Sequence, residues 1–249
     1  MAVMRTANPA LNEKTFRDFT IQGTEVMTIN GTVNKSAILI LLAIISAYFT
    51  WHRFTSTNSI QAVQPFILTG VIGGFIVALI TIFKKTVSSI TAPLYAILEG
   101  LALGGISAIF EKSYPGIAAQ AIFLTFGVFL ALLLAYKTRL IKATENFKLG
   151  VIAATGGIAL VYIINLIMGF FGASIPFLND STPVGIGISV FIVIIAALNL
   201  VLDFDFIENA AHQGAPKYME WYAAFGLMVT LVWLYLEILR LLSKIRENR

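Results

Sequence analysis

Cysteine is absent from this 249-residue chain. That excludes structural disulfides, thiolate zinc sites and cysteine nucleophiles, and it leaves the redox compartment unread. Histidine is nearly as scarce. His52 and His212 are the only two; both are expected in loops, and neither belongs to a metal-ligand pair at helical spacing. Charge is sparse as well: 12% of the residues are Asp, Glu, Lys or Arg, where a soluble domain carries about 25%. So little polar surface leaves nothing from which to build a separate soluble domain. A cleavable leader is not expected either, because the first ~30 residues mix Arg5, Glu13, Lys14, Arg17, Asp18 and Glu25 and lack an apolar core.

What the chain has in abundance is apolar length. Hydrophobic residues make up 58% of it, and the mean hydropathy is +0.86. A membrane-crossing helix needs roughly 20 mostly apolar residues. Seven such runs follow one another: Ser36–Trp51, Pro65–Phe83, Ala92–Phe110, Ile117–Tyr136, Leu149–Phe171, Val184–Leu202 and Trp221–Leu242. The first is short and is expected to borrow residues on each side. Turn-forming clusters separate the runs at Thr55–Ser59, Ser113–Gly116 and Asn179–Pro183. The fold class that follows is all-α, an integral membrane bundle of seven transmembrane helices. Residues 1–35 are read as a polar cytoplasmic segment, 36–242 as the transmembrane domain and 243–249 as a basic tail. Gly70 with Gly74, and Gly100 with Gly104, recur at the four-residue spacing that lets helix backbones approach in lipid.

The formal charge is +4, but most Lys and Arg flank the apolar runs, which speaks for membrane topology and against nucleic acid as a partner. Arg5, Lys14, Arg17 and Lys35, then Lys84 and Lys85, then Lys137, Arg139, Lys142 and Lys148, and finally Lys217 all fall on one side of a seven-crossing topology. The opposite loops hold Arg53 and Lys112. The positive-inside rule places the N-terminus in the cytoplasm, and the expected localisation is an inner (plasma) membrane, as a multi-pass protein. One feature conflicts with this count: the C-terminal end carries Arg240, Lys244, Arg246 and Arg249. Either the seventh run re-enters the membrane or a basic tail is tolerated outside.

Acids inside apolar runs are costly and mark ion or proton sites first. Glu99 stands in the third run with apolar residues on both sides. Asp203, Asp205 and Glu208 close the sixth, and Glu237 lies in the seventh. Depth puts Glu99 in the same half of the bilayer as the sixth-run acids. Asp203 and Asp205 diverge by about 200° on a continuing helix, so only one of them can face a given pore. Glu237 and Arg240, three residues apart on one helix face, read as a neutralising structural pair. Glu220 and Lys217 are expected at the membrane surface. Enzyme chemistry is not expected: Ser107 has no intramembrane His as base, and the acids lack a Gly-Xaa-Gly-Asp setting. No cofactor is implied.

Several stretches resemble the transmembrane Bax inhibitor motif family, in its bacterial, YccA-like branch. Leu98-Glu99-Gly100-Leu101-Ala102-Leu103-Gly104 is similar to the family's third-helix pattern, and Asp203-Phe204-Asp205-Phe206-Ile207-Glu208 to the acidic close of its sixth helix. The run Leu231–Leu242, with its Leu-rich ending around Arg240, resembles the family's seventh helix, and Arg5–Leu11 resembles the start of the bacterial branch. The resemblance implies seven helices with the seventh central, and a pH-sensitive Ca²⁺ leak held shut by an aspartate pair from helices six and seven. Carried over, the sixth-helix member is Asp203 or Asp205. The seventh-helix position falls near Thr230, which cannot ionise, so Glu99 is the candidate replacement partner for Asp203. The expected function is therefore a pH-modulated calcium leak gated by Asp203, Asp205 and Glu99, with Asp203 and Glu99 as candidate Ca²⁺ contacts. Alternatives are a proton-coupled transporter using the same acids, or a non-transporting regulator of a membrane protease. The expected partners are the lipid bilayer, Ca²⁺ or protons, and in the last case that protease.

Overall fold

Apolar runs of this length fold as helices because hydrocarbon offers the backbone no other hydrogen-bond partner. The computed structural model describes residues 25–248 and contains seven long helices: α1 Ile29–Thr57, α2 Gln64–Phe83, α3 Ser88–Ser113, α4 Ile117–Lys137, α5 Glu145–Phe170, α6 Pro183–His212 and α7 Met219–Glu247. All seven are long and apolar enough to cross a membrane. No named strand forms among the described residues.

Local chemistry sets the starts of these helices. Thr28, Thr144 and Thr182 cap α1, α5 and α6 by accepting the amide hydrogens of Gly31, Phe147 and Gly185. Pro183 sits in the first turn of α6, where its missing N–H is no loss. The helix ends run beyond the apolar runs. α1 starts ahead of Ser36 and continues past Trp51, so His52 lies within it and the Thr55–Thr57 stretch is helical. α6 continues to His212, which corrects two expectations. His212 is helical, and Asp203, Asp205 and Glu208 lie inside the helix instead of at its end. The Arg5–Leu11 stretch falls outside the described residues.

α7 is the central helix. Of its most apolar window 61% is buried inside the protein, against 6% for α5. It packs on α1, α3, α4 and α6, while α2 leans mainly on α3 and α5 on α6. The closest backbone approaches occur where the glycine pairs were expected to act. Gly100 and Gly104 of α3 meet Ala43 and Ala47 of α1. A Cβ at Gly70 of α2 would stand 2.5 Å from the carbonyl oxygen of Leu98.

Contacts between loops define two ends of the bundle. At one end, Val26 bridges to Pro216, the Met27 amide donates to the Ala215 carbonyl (2.7 Å), and Ser88 Oγ donates to the Tyr218 carbonyl (3.0 Å). At the other, Arg246 donates to the Pro115 carbonyl (2.7 Å) and Ser181 to Glu247. Because α7 is one continuous helix, its first residues belong to the first end and its last to the second. The basic C-terminal residues counted as a conflict are engaged there: Lys244 is buried, with its ammonium 2.7 Å from the Leu178 carbonyl and 3.3 Å from that of Gly185.

Candidate functional site

The bundle buries polar chemistry at three levels. In its middle, Glu99 on α3 points into a cavity of about 380 Å³ lined by α2, α3 and α7. Val71, Phe75, Ala78 and Ile82 of α2 and Phe225, Val229 and Leu236 of α7 form its apolar walls opposite α3. Gly74 makes the room: a Cβ there would stand 2.8 Å from Oε2 of Glu99. Tyr95, one turn earlier on α3, stacks edge-on against Phe225 with centroids 4.9 Å apart and is the other titratable side chain of this wall. No Lys or Arg lines the cavity among the described residues. An ionised carboxylate placed here can be balanced only by water or by a cation entering the space.

Near the basic end, the α6 acids divide by face. Asp203 is fully buried in the bundle. Asp205 turns outward to α5, where the Lys148 ammonium lies 2.8 Å from its carboxylate. Glu145 is 3.5 Å from the same ammonium, and the Asn209 amide donates to the Asp205 backbone carbonyl. Glu208 accepts the Tyr136 hydroxyl and pairs with Arg139 at 2.8 Å. These bonds tie the α4–α5 connection to α6. Glu220, expected at the surface, is instead fully buried in the first turn of α7. Thr28 donates to it through its amide and hydroxyl, both at 2.9 Å, while Lys35 pairs with it and Lys217 lies 3.3 Å away. A carboxylate can be buried when cations and donors surround it in this way.

At the opposite end Glu237 is buried and accepts from Tyr162 (2.8 Å), Trp233 (3.3 Å) and Arg240 (3.3 Å). The neutralising pair read from their spacing is thus present in the geometry, joined to α5 through Tyr162. Between this cluster and Glu99, Ser107 of α3 and Tyr235 of α7 share a 2.6 Å hydrogen bond.

Glu99 and Asp203 are not brought into one site. α7 packs on both α3 and α6, no α6 residue lines the Glu99 cavity, and α3 and α6 share no extended interface. No group of three or more His, Asp or Glu with metal-holding geometry occurs among the described residues. Sequence reasoning passed over Lys148, Glu220, Tyr136, Tyr162 and Lys244 as functional or structural anchors. Lys148 and Glu220 left local traces, their i, i+3 spacings from Glu145 and Lys217.

Compared with known proteins, residues 8–247 match the family model described as Bax inhibitor 1 like. No curated protein and no solved structure matches the chain.

Proposed function

The chain belongs to the Bax inhibitor 1 like family, and from that premise we propose that it mediates a passive, pH-modulated leak of Ca²⁺ with Glu99 as the carboxylate in the path. The supporting observation is the cavity of about 380 Å³ at mid-bundle, with one acid on an otherwise largely apolar wall. Ca²⁺ takes six to eight oxygen ligands, so a single carboxylate suits an ion passing with most of its water, not a resident one. Titration of Glu99 changes the charge that a passing cation meets. Among the described residues Tyr95 is the one other titratable neighbour on that wall, since α2 and α7 present apolar side chains there. Asp203 does not line this cavity and is buried within the bundle, so the reading assigns the path to Glu99. The reading includes no covalent chemistry and no cofactor. It takes the protein to reside in an inner (plasma) membrane, and the positive-inside argument supports an orientation with the end bearing Lys84, Lys85, Lys137 and Lys142 in the cytoplasm.

A second reading, proton-coupled transport, draws on the absence of a metal-holding acid cluster among the described residues, because one acid suffices for a proton. Purified protein in liposomes loaded with a Ca²⁺ indicator tests both. The leak reading expects wild-type flux that varies with pH, and in Glu99→Gln a several-fold lower flux with a flat pH profile. An unchanged profile in Glu99→Gln overturns it. Accumulation of a solute against its gradient would establish the transporter, since a leak concentrates nothing. Silence in both assays, with a membrane protease co-purifying, would favour the regulator.

A further inference from the structure

Two cavities flank the contact between α3 and α7, and Leu103 lines both. The Glu99 cavity reaches toward the end carrying the α2–α3 loop, where Ile82, Tyr95 and Phe225 line it. The second, about 490 Å³, opens between α1 and α4 and reaches toward the opposite end at Trp51 and Ala118. Its wall is apolar apart from a few hydroxyls, among them the hydrogen-bonded Ser107 and Tyr235. Glu99, Leu103 and Ser107 follow one another at four-residue spacing on α3, so the order along the helix is acid, apolar side chain, hydroxyl. On α7, Phe225, Val229 and Leu236 line one cavity and Met228, Leu231, Val232 and Tyr235 the other, so the two lie side by side on different faces of that helix, and Leu103 is the residue common to both among the described residues.

We propose that Leu103 is the hydrophobic gate of a path along the α3–α7 interface, dividing the Glu99 cavity from the cavity that holds the Ser107–Tyr235 pair. The proposal rests on the leak reading for its ion but on geometry for its partition. An apolar constriction of this kind blocks ions by excluding the water they must carry. A shift of one side chain joins the two spaces, because each already reaches Leu103 from its own side. Glu99 then acts as the cation-attracting group on one side of the constriction, and Leu103 as the step that limits passage.

The natural absence of cysteine permits a test that does not depend on flux. Val229→Cys and Val232→Cys are made singly in the full chain, in oriented vesicles, and a membrane-impermeant methanethiosulfonate is applied from each face. A thiol reacts as thiolate and so reports water. The expected result is labelling at position 229 from the face of the α2–α3 loop only, and at position 232 from the opposite face only. Adding Leu103→Ser lets the reagent reach each thiol from either face and raises Ca²⁺ efflux about tenfold, a fall of roughly 1.4 kcal/mol in barrier. Leu103→Met, close in volume and apolar, keeps the two faces separate, which distinguishes polarity from loss of packing. Labelling of both thiols from one face in the parent chain, or labelling unaffected by Leu103→Ser, overturns the gate. Labelling that changes as expected while every variant stays silent to Ca²⁺ upholds the partition and removes the leak reading instead.

Discussion

The Lys148 ammonium, buried at the start of α5, lies 2.8 Å from the Asp205 carboxylate of α6. A cation in the first turn of a helix opposes the helix dipole, so this pair compensates for an otherwise unfavourable placement. Removing one partner of a buried ion pair typically costs roughly 3–5 kcal/mol, and the residual hydration of Asp205 lowers that figure. Lys148→Met is expected to destabilise the protein by about 2–3 kcal/mol, and the double change with Asp205→Leu to recover most of the loss. Unfolding in detergent micelles, read as a double-mutant cycle, measures both. A double change as damaging as the sum of the two singles would mean that the pair is not coupled.

That pair also shows what a linear sequence hides. The seven helices were legible because each needs about 20 apolar residues in a row, and Glu99 was legible because apolar neighbours flank it. Helix ends were not. α1 reaches back to Ile29 and forward to Thr57 because a transmembrane helix continues into polar flanks once its caps are provided, here by Thr28. Partnerships were least legible of all. Lys148 reads as one more loop cation, and Glu220 as a surface acid, until helix crossing brings Asp205 to the one and Thr28 and Lys35 to the other. The same crossing packs α7 on α3, which carries Glu99, and on α6, which carries Asp203, with no extended α3–α6 interface, which depth alone could not reveal.

The Glu220 cluster joins the strand-like residues before α1 to the base of the central helix. Glu220→Ala would leave the Thr28 amide and the Lys35 ammonium without their acceptor, at a cost of about 1–3 kcal/mol. Its effect is expected to be local first, as faster hydrogen exchange at Met27 and Thr28, whose amides bond to Ala215 and Glu220. Glu220→Gln keeps an acceptor for Thr28 and is expected to exchange more slowly than Glu220→Ala. Equal protection in wild type and Glu220→Ala would show that the carboxylate does not hold this segment.

Two glycines of α2 are expected to answer alanine differently. At Gly70 the new Cβ meets the Leu98 carbonyl at 2.5 Å and the Ala102 methyl at 2.8 Å, so α2 and α3 must separate. Overpacking of this kind costs about 1–3 kcal/mol. At Gly74 the nearest atom is the end of the flexible Glu99 side chain, which can turn aside, and the gain in helix propensity is about 1 kcal/mol. Gly70→Ala should therefore lower thermal stability with little specific effect on flux, whereas Gly74→Ala should keep stability and alter the flux and its pH profile. Identical behaviour of the two variants would argue that Gly74 does not shape the Glu99 cavity.

The last prediction concerns orientation. By charge counting alone, Arg240, Lys244 and Arg246 pull the end of α7 toward the more basic face. In the structure each is engaged at the opposite one: Arg240 on Glu237 and Tyr162, Lys244 on the carbonyls of Leu178 and Gly185, and Arg246 on the Pro115 carbonyl and Gln120. Cations held by carbonyls and a carboxylate satisfy groups that hydrocarbon would leave unbonded, so they serve this end of the bundle without acting as retention signals. Tags added before Met1 and after Arg249 are therefore expected on opposite faces of the membrane, by impermeant labelling or protease protection. Lys244→Met should leave that orientation intact and lower stability by about 1–3 kcal/mol, because two buried carbonyls lose a charged donor. Tags found on the same face would mean that α7 re-enters instead of crossing, and the arrangement of four helices around it would fall with that result.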